Sequence, residues 1–164
     1  MTELELILSA DGAAAPPSHI LEGLSQELAH RVPPDAPHSI YEELWHITFW
    51  QQVTFDWIGG IETPFPASPR DGFPTVLDAE REYWEQLCGR FFAGNAAAAA
   101  AARDAARLDL PIRCPSRPGN PVRVMTVREQ LENLGAHNAY HFGRIVLLRQ
   151  LLGLWPPQSG GFSW

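Results

Sequence analysis

Leu134-Gly135-Ala136-His137-Asn138-Ala139-Tyr140-His141-Phe142-Gly143-Arg144-Ile145-Val146-Leu147-Leu148 is the stretch whose reading decides the fold. With about 100° of rotation per residue, Val127, Leu131, Leu134, Ile145, Leu148 and Leu152 fall on one stripe, which predicts an amphipathic helix. His137 and His141 interrupt that stripe. At i and i+4 their side chains leave one face a turn apart, with Cβ atoms about 6 Å from each other, so both imidazoles can converge on a single ion. The helix limits are also marked. Thr126 and Glu129 form a capping box, in which each side chain satisfies an orphan backbone N–H, and Gly153 followed by Pro156-Pro157 stops the segment.

Upstream, Ser39 and Glu42 repeat the capping box, and Gly59-Gly60 closes a helix over residues 40–58. Around His46 on that helix, Glu43, Trp50, Val53 and Trp57 lie within about 60°. Ile40, Leu44, Ile47, Val53, Trp57 and Ile58 make the broader apolar arc, so His46 points inward. Ser18 reads as the N-cap of an earlier helix carrying Ile20, Leu21, Leu24 and Leu28, stopped by Pro33-Pro34. Residues 2–9 add one or two helical turns, and Asp11 to Pro17 is a loop.

Between the two capped helices, residues 59–74 (GGIETPFPASPRDGFP) form a loop long enough to be functional or a lid. Thr75 and Asp78 open a further helix with Val76, Leu77, Tyr83, Trp84, Leu87, Phe91 and Phe92. It runs through the seven alanines of Ala96–Ala102 to Leu108, with a kink at Gly94-Asn95, or splits in two. Pro111 to Pro121 (PIRCPSRPGNP) is a second loop. The tail GLWPPQSGGFSW carries two tryptophans that are costly to expose, so it is expected to fold back or to enter a dimer interface. Four helical segments with opposing apolar faces, and no run alternating strand-fashion, predict an all-α helix bundle forming one domain over residues 1–164.

Composition narrows the partners. The 19 acidic residues face 12 arginines and no lysine, for a formal charge of −7, with no basic block. Nucleic acid and anionic membrane both attract clustered positive charge, so neither is an expected partner. Cys88 and Cys114 are widely separated and carry no disulfide or zinc-ribbon pattern, which points to a reduced, cytoplasmic setting. Acidic Glu3 and Glu5 and the short apolar run Leu4 to Leu8 suit neither an export signal nor a membrane span.

Six histidines divide by pattern. His19, His30 and His38 fall at a helix start, a helix end and a loop, where surface positions are common. His46, His137 and His141 occupy inward positions of two helices. Buried histidines often have only an ordinary hydrogen-bond partner, but three on facing stripes suit a divalent transition metal, since imidazole favours Zn, Ni, Cu or Fe over Mg or Ca. Three protein ligands leave a position for water or substrate, the arrangement of catalytic zinc sites. The H-N-A-Y-H run lacks the internal glutamate of HExxH proteins.

E-L-W-H-I on one helix, A-H-N-A-Y-H-F-G-R-I-V-L-L-R on a late helix, L-G-L-W-P-P and a Gly-Gly-aromatic tail together resemble the DinB-like (DNA-damage-inducible, YfiT-type) superfamily. The resemblance spans residues 40 to the C-terminus, is strongest in the last forty residues and is weaker before Pro37. It implies a four-helix bundle with a long crossover connection, a homodimer, and a divalent metal, zinc or nickel first, held by His46, His137 and His141. Characterised members include bacillithiol S-transferases and mycothiol-dependent isomerases, and others carry a hydrolase label. A metal-activated low-molecular-weight thiol or water, attacking a small-molecule substrate, is therefore the expected chemistry.

Helix geometry supplies further candidates. Glu43, one turn before His46, could orient an imidazole or act as a catalytic base, or be an ordinary exposed first-turn glutamate. Arg144, one turn after His141, could clamp a substrate carboxylate, or sit on a solvated face or in an intersubunit ion pair. Trp50 and Tyr140 could line a pocket or serve as core and interface aromatics. Cys114, between arginines, could be a reactive thiol. The rival functions are a non-catalytic dimeric metal- or small-molecule-binding protein, and a structural bundle whose histidines bond only to protein groups.

Overall fold

The capping boxes read from the sequence at Ser39 and Thr126 start two of the three long helices of the computed structural model, which describes residues 1–9 and 15–160. In chain order the elements are α1 (Glu3–Ser9), α2 (Pro17–Ile20), α3 (Gln26–His30), α4 (Ile40–Ile58), α5 (Val76–Arg81), α6 (Trp84–Arg103), β1 (Pro111–Cys114), β2 (Arg123–Thr126) and α7 (Val127–Leu151). Residues 11–14 of the loop expected from Asp11 to Pro17, and the terminal Trp164, lie outside the described residues, and α2 already begins at Pro17.

Ser39 Oγ accepts from the Glu42 N–H at 3.2 Å while the Glu42 carboxylate accepts from the Ser39 N–H at 2.7 Å, so α4 begins where the sequence says. Thr126 and Glu129 do the same for α7, and Thr75 and Asp78 for α5. The architecture is all-α around α4, α6 and α7. The fourth side is covered by pieces instead of one helix: α1 lies on α6 and α7, α2 on α7, and α3 on α4 and α6.

Three expectations need correction. The first helix is broken between α2 and α3, where Gly23 takes a φ of +71° that favours glycine. Ser18 sits inside α2, whose N-cap is Pro16, and the capping side chain is Ser25 at the head of α3. The segment after Thr75 takes the alternative of two helices, splitting at Glu82-Tyr83, but the second passes unbroken through Gly94 and ends at Arg103 instead of Leu108. Tertiary partners take the freed backbone groups there: Tyr41 Oη donates to the Glu82 carbonyl at 2.8 Å, and the Trp84 N–H donates to Gln26 Oε1 at 2.6 Å. The second loop contains an antiparallel pair, with Ile112 opposite Met125 and Cys114 opposite Arg123. Four-residue strands flanked by prolines are too short to show a period in sequence.

Two apolar clusters make the core. One joins Ile40, Tyr41, Leu44 and Ile47 to Leu87, Phe91, Phe142, Ile145 and Leu148. The other joins Leu4, Leu8, Val53 and Trp57 to Ala98, Ala102, Val127, Leu131 and Leu134. Between them runs a belt of buried polar side chains that includes Glu43, Gln51, Asn138 and His141. The tail folds back, with Trp155 packed against the first cluster and the buried Arg149 donating to the Leu154 carbonyl at 3.0 Å. No helix is long and apolar enough to cross a membrane among the described residues.

Candidate metal centre

The polar belt holds the three inward histidines because α4 and α7 face each other along most of their length. Starting both helices at fixed capping boxes sets which residues point inward. On α4 the 3–4 spacing places Glu43, His46, Trp50 and Thr54 on one stripe, and on α7 it does the same for Gln130, Leu134, His137, His141 and Arg144.

One nitrogen from each of His46, His137 and His141 lies within 4.8 Å of the others. His46 Nδ1 lies 2.7 Å from the Gly72 carbonyl, which can only accept, so the proton sits on Nδ1 and the Nε2 lone pair faces the cluster. His141 Nδ1 donates to Glu43 Oε2 at 2.6 Å, turning its Nε2 the same way. His137 Nε2 lies 3.2 Å from His46 Nε2, and its buried Nδ1 has no hydrogen-bond partner. Two nitrogens each about 2.05 Å from a tetrahedral ion stand about 3.3 Å apart, so the observed spacing fits a shared ion. Three imidazole nitrogens this close, two of them with the lone pair turned inward because the other ring nitrogen is held by a partner, fit a cation better than a set of ordinary core histidines.

Electrostatics agree with that donor set. Burial, with neighbouring His141 adding to it, pushes His46 down to about 4 and His137 down to about 3, holding both rings neutral and able to ligate. Burial alone would raise Glu43. The His141 hydrogen bond and the Arg144 guanidinium outweigh it and keep the carboxyl below its usual range.

Of the other candidates, Glu43 is fully buried, with Oε2 on His141 and Oε1 receiving Arg144 Nε at 2.9 Å. It is thus neither an exposed first-turn glutamate nor placed against the ion's position. Arg144 spans Glu43 and the Tyr140 hydroxyl, which it reaches at 3.2 Å. Tyr140 itself is exposed and lies edge-on to His141. Trp50 does line a cavity of about 240 Å³, together with His137, Trp57, Phe65, Thr54, Gln130 and Leu134, whereas Tyr140 does not. Cys114 is fully buried, and burial raises its pKa, so the reactive-thiolate option gives way to an inert core thiol. His19, His30 and His38 stay out of the cluster, although each is half-buried instead of exposed.

Sequence reasoning missed Gly72 and Phe73. The long loop returns to lay the Gly72 carbonyl on His46 and the Phe73 ring against it, with ring centroids 4.3 Å apart. Loop length signalled function there, but no residue pattern marks a backbone carbonyl.

The family model of the DinB superfamily matches residues 17–145, well over half of the chain. The match starts earlier than the motif resemblance and ends before the L-G-L-W-P-P tail. No curated protein matches the chain.

Proposed function

The chain belongs to the DinB superfamily, and from that premise we propose that it is a metal-dependent transferase or hydrolase of small molecules. His46, His137 and His141 hold the ion through Nε2, with zinc or nickel the first ions to test because the donors are all imidazole. A divalent ion bound there supplies Lewis acidity that makes a small thiol or water nucleophilic near neutral pH. The protein's own groups do the rest. Gly72 and Glu43 orient two of the three rings, and Arg144 keeps Glu43 ionised. Trp50, Trp57 and Phe65 wall a cavity that reaches His137. The observation that carries the assignment is the convergence of three imidazole nitrogens, two with their tautomer set by a partner, at the edge of that cavity.

Glu43 is a positioning residue in this scheme, since both its oxygens are engaged away from the cavity. That same observation favours a second possibility, a metal- or small-molecule-binding protein without turnover, because among the described residues no uncommitted carboxylate lines the cavity to act as a base. A homodimer belongs to the same proposal, as the family resemblance implies. The first experiment is elemental analysis of purified protein and of His137→Ala, with circular dichroism to check folding. The variant is expected to stay helical and to lose at least about 90% of its metal, and full occupancy would sink the assignment. A screen of thiol and electrophile pairs then separates the enzyme from the binding protein.

A further inference from the structure

The hairpin of β1 and β2 places an exposed arginine, Arg123, among the residues that line the cavity beside His137. Arg123 stands directly opposite Cys114 in the register, and directly opposite residues put their side chains on the same face of the pair. Cys114 and Ile112 are buried, so this is the face turned to the protein. Arg113, on the outward face, pairs with Glu62 at 2.6 Å. Arg123 has no carboxylate partner among the described residues, and its side chain lines the cavity that His137, Trp50, Trp57 and Phe65 also line. It is shared with a second, outer hollow of about 410 Å³, whose wall includes Phe65, Ser116, Asn120 and Arg117. The Arg117 guanidinium lies 6.0 Å over the Phe65 ring.

Among the described residues, no aspartate or glutamate lines either hollow. In a protein with a formal charge of −7, an exposed arginine that lines both hollows, with a second arginine on the outer one and an aromatic wall beside it, has the composition of an anion subsite. A guanidinium presents a planar fork of donors that matches a carboxylate or phosphate, and the indole and phenyl rings offer flat apolar area beside it.

We propose that Arg123, with Arg117 behind it, is the specificity subsite for a small organic anion whose apolar body lies along Trp50 and Phe65, its uncharged end toward His137. The proposal rests on the cavity being the substrate site of the metal centre, and it adds that the substrate or co-substrate is an acid. The charged end stays at the hairpin, away from the histidines.

The test uses 3-phenylpropanoate and its neutral isostere 3-phenylpropanamide as probes, with phenethyl phosphate as a third to distinguish carboxylate from phosphate recognition. Binding is measured by titration calorimetry to the protein as purified and again after chelation, with helicity checked in each case. The acid or the phosphate is expected to bind at least about tenfold tighter than the amide in both preparations. Arg123→Gln should abolish that preference, and Arg113→Gln, which removes the same charge from the outward face, should leave it unchanged. Equal binding of charged and neutral probes, no binding of either anion at millimolar concentration, or equal losses in the two variants would overturn the subsite. A preference that vanishes on chelation would also overturn it, since the anion would then be reading the metal. Persistence after chelation, in a protein shown by elemental analysis to hold no metal as purified, would support the subsite while removing the metal-dependent function.

Discussion

At the scale of single residues, the buried Glu43 carboxylate joins α4 to α7 by accepting from both His141 and Arg144. Glu43→Gln keeps the shape and removes the charge that both partners face. Metal affinity should fall about 10- to 100-fold, the usual effect of losing a group that orients a ligating histidine. Competition with a chromophoric chelator measures it, and an unchanged affinity would take Glu43 out of the site. His30 offers a second test away from the metal ligands. It stacks on Tyr41 with centroids 4.2 Å apart and contacts Gln26 at 2.9 Å. Burial lowers its pKa more than Glu42 raises it. The folded protein therefore binds this proton less readily than the unfolded chain, so His30 contributes stability above the unfolded value of about 6.5 that is lost as the pH falls below it. Urea midpoints at pH 7 and pH 5 should differ less in His30→Gln than in the parent protein.

Between elements, glycine records where helices approach closely. A Cβ at Gly135 on α7 would meet the Ile7 side chain of α1, and one at Gly94 on α6 would meet the Gln51 side chain of α4. Gly143, one helix face away on α7, has open space around it. Gly135→Ala should therefore destabilise by about 1–3 kcal/mol through overpacking. Gly143→Ala should stabilise by about 0.5–1 kcal/mol, because alanine loses less backbone freedom in a helix. Thermal unfolding of the two variants checks both signs, and the same sign in both would mean that α1 does not seat on α7 as described. The two substitutions are identical in sequence terms and differ only in what faces them.

For the whole molecule, an ion held by His46 on α4 and by His137 and His141 on α7 would clamp the two helices that run through both apolar clusters. Metal that binds only the folded state adds about 4 kcal/mol of stability when free metal exceeds the dissociation constant a thousandfold. Chelation should thus lower the melting temperature of the parent by several degrees and leave that of His137→Ala unchanged. An equal shift in both would place the bound metal elsewhere.

The sequence by itself determined the helices that carry the site, because capping boxes at Ser39 and Thr126 and a period near 3.6 are local signals that need no tertiary partner. It also determined which histidines face inward, since a helix turns side-chain spacing directly into direction. Only the tertiary structure decided what surrounds them. Gly72 reaches His46 across 26 residues, Glu43 meets His141 across 98, and Arg123 faces the cavity through its pairing with Cys114. The split at Tyr83 was settled the same way, through Tyr41 and Gln26. Each depends on a partner distant in the chain, and a contact between distant residues leaves no period in either segment.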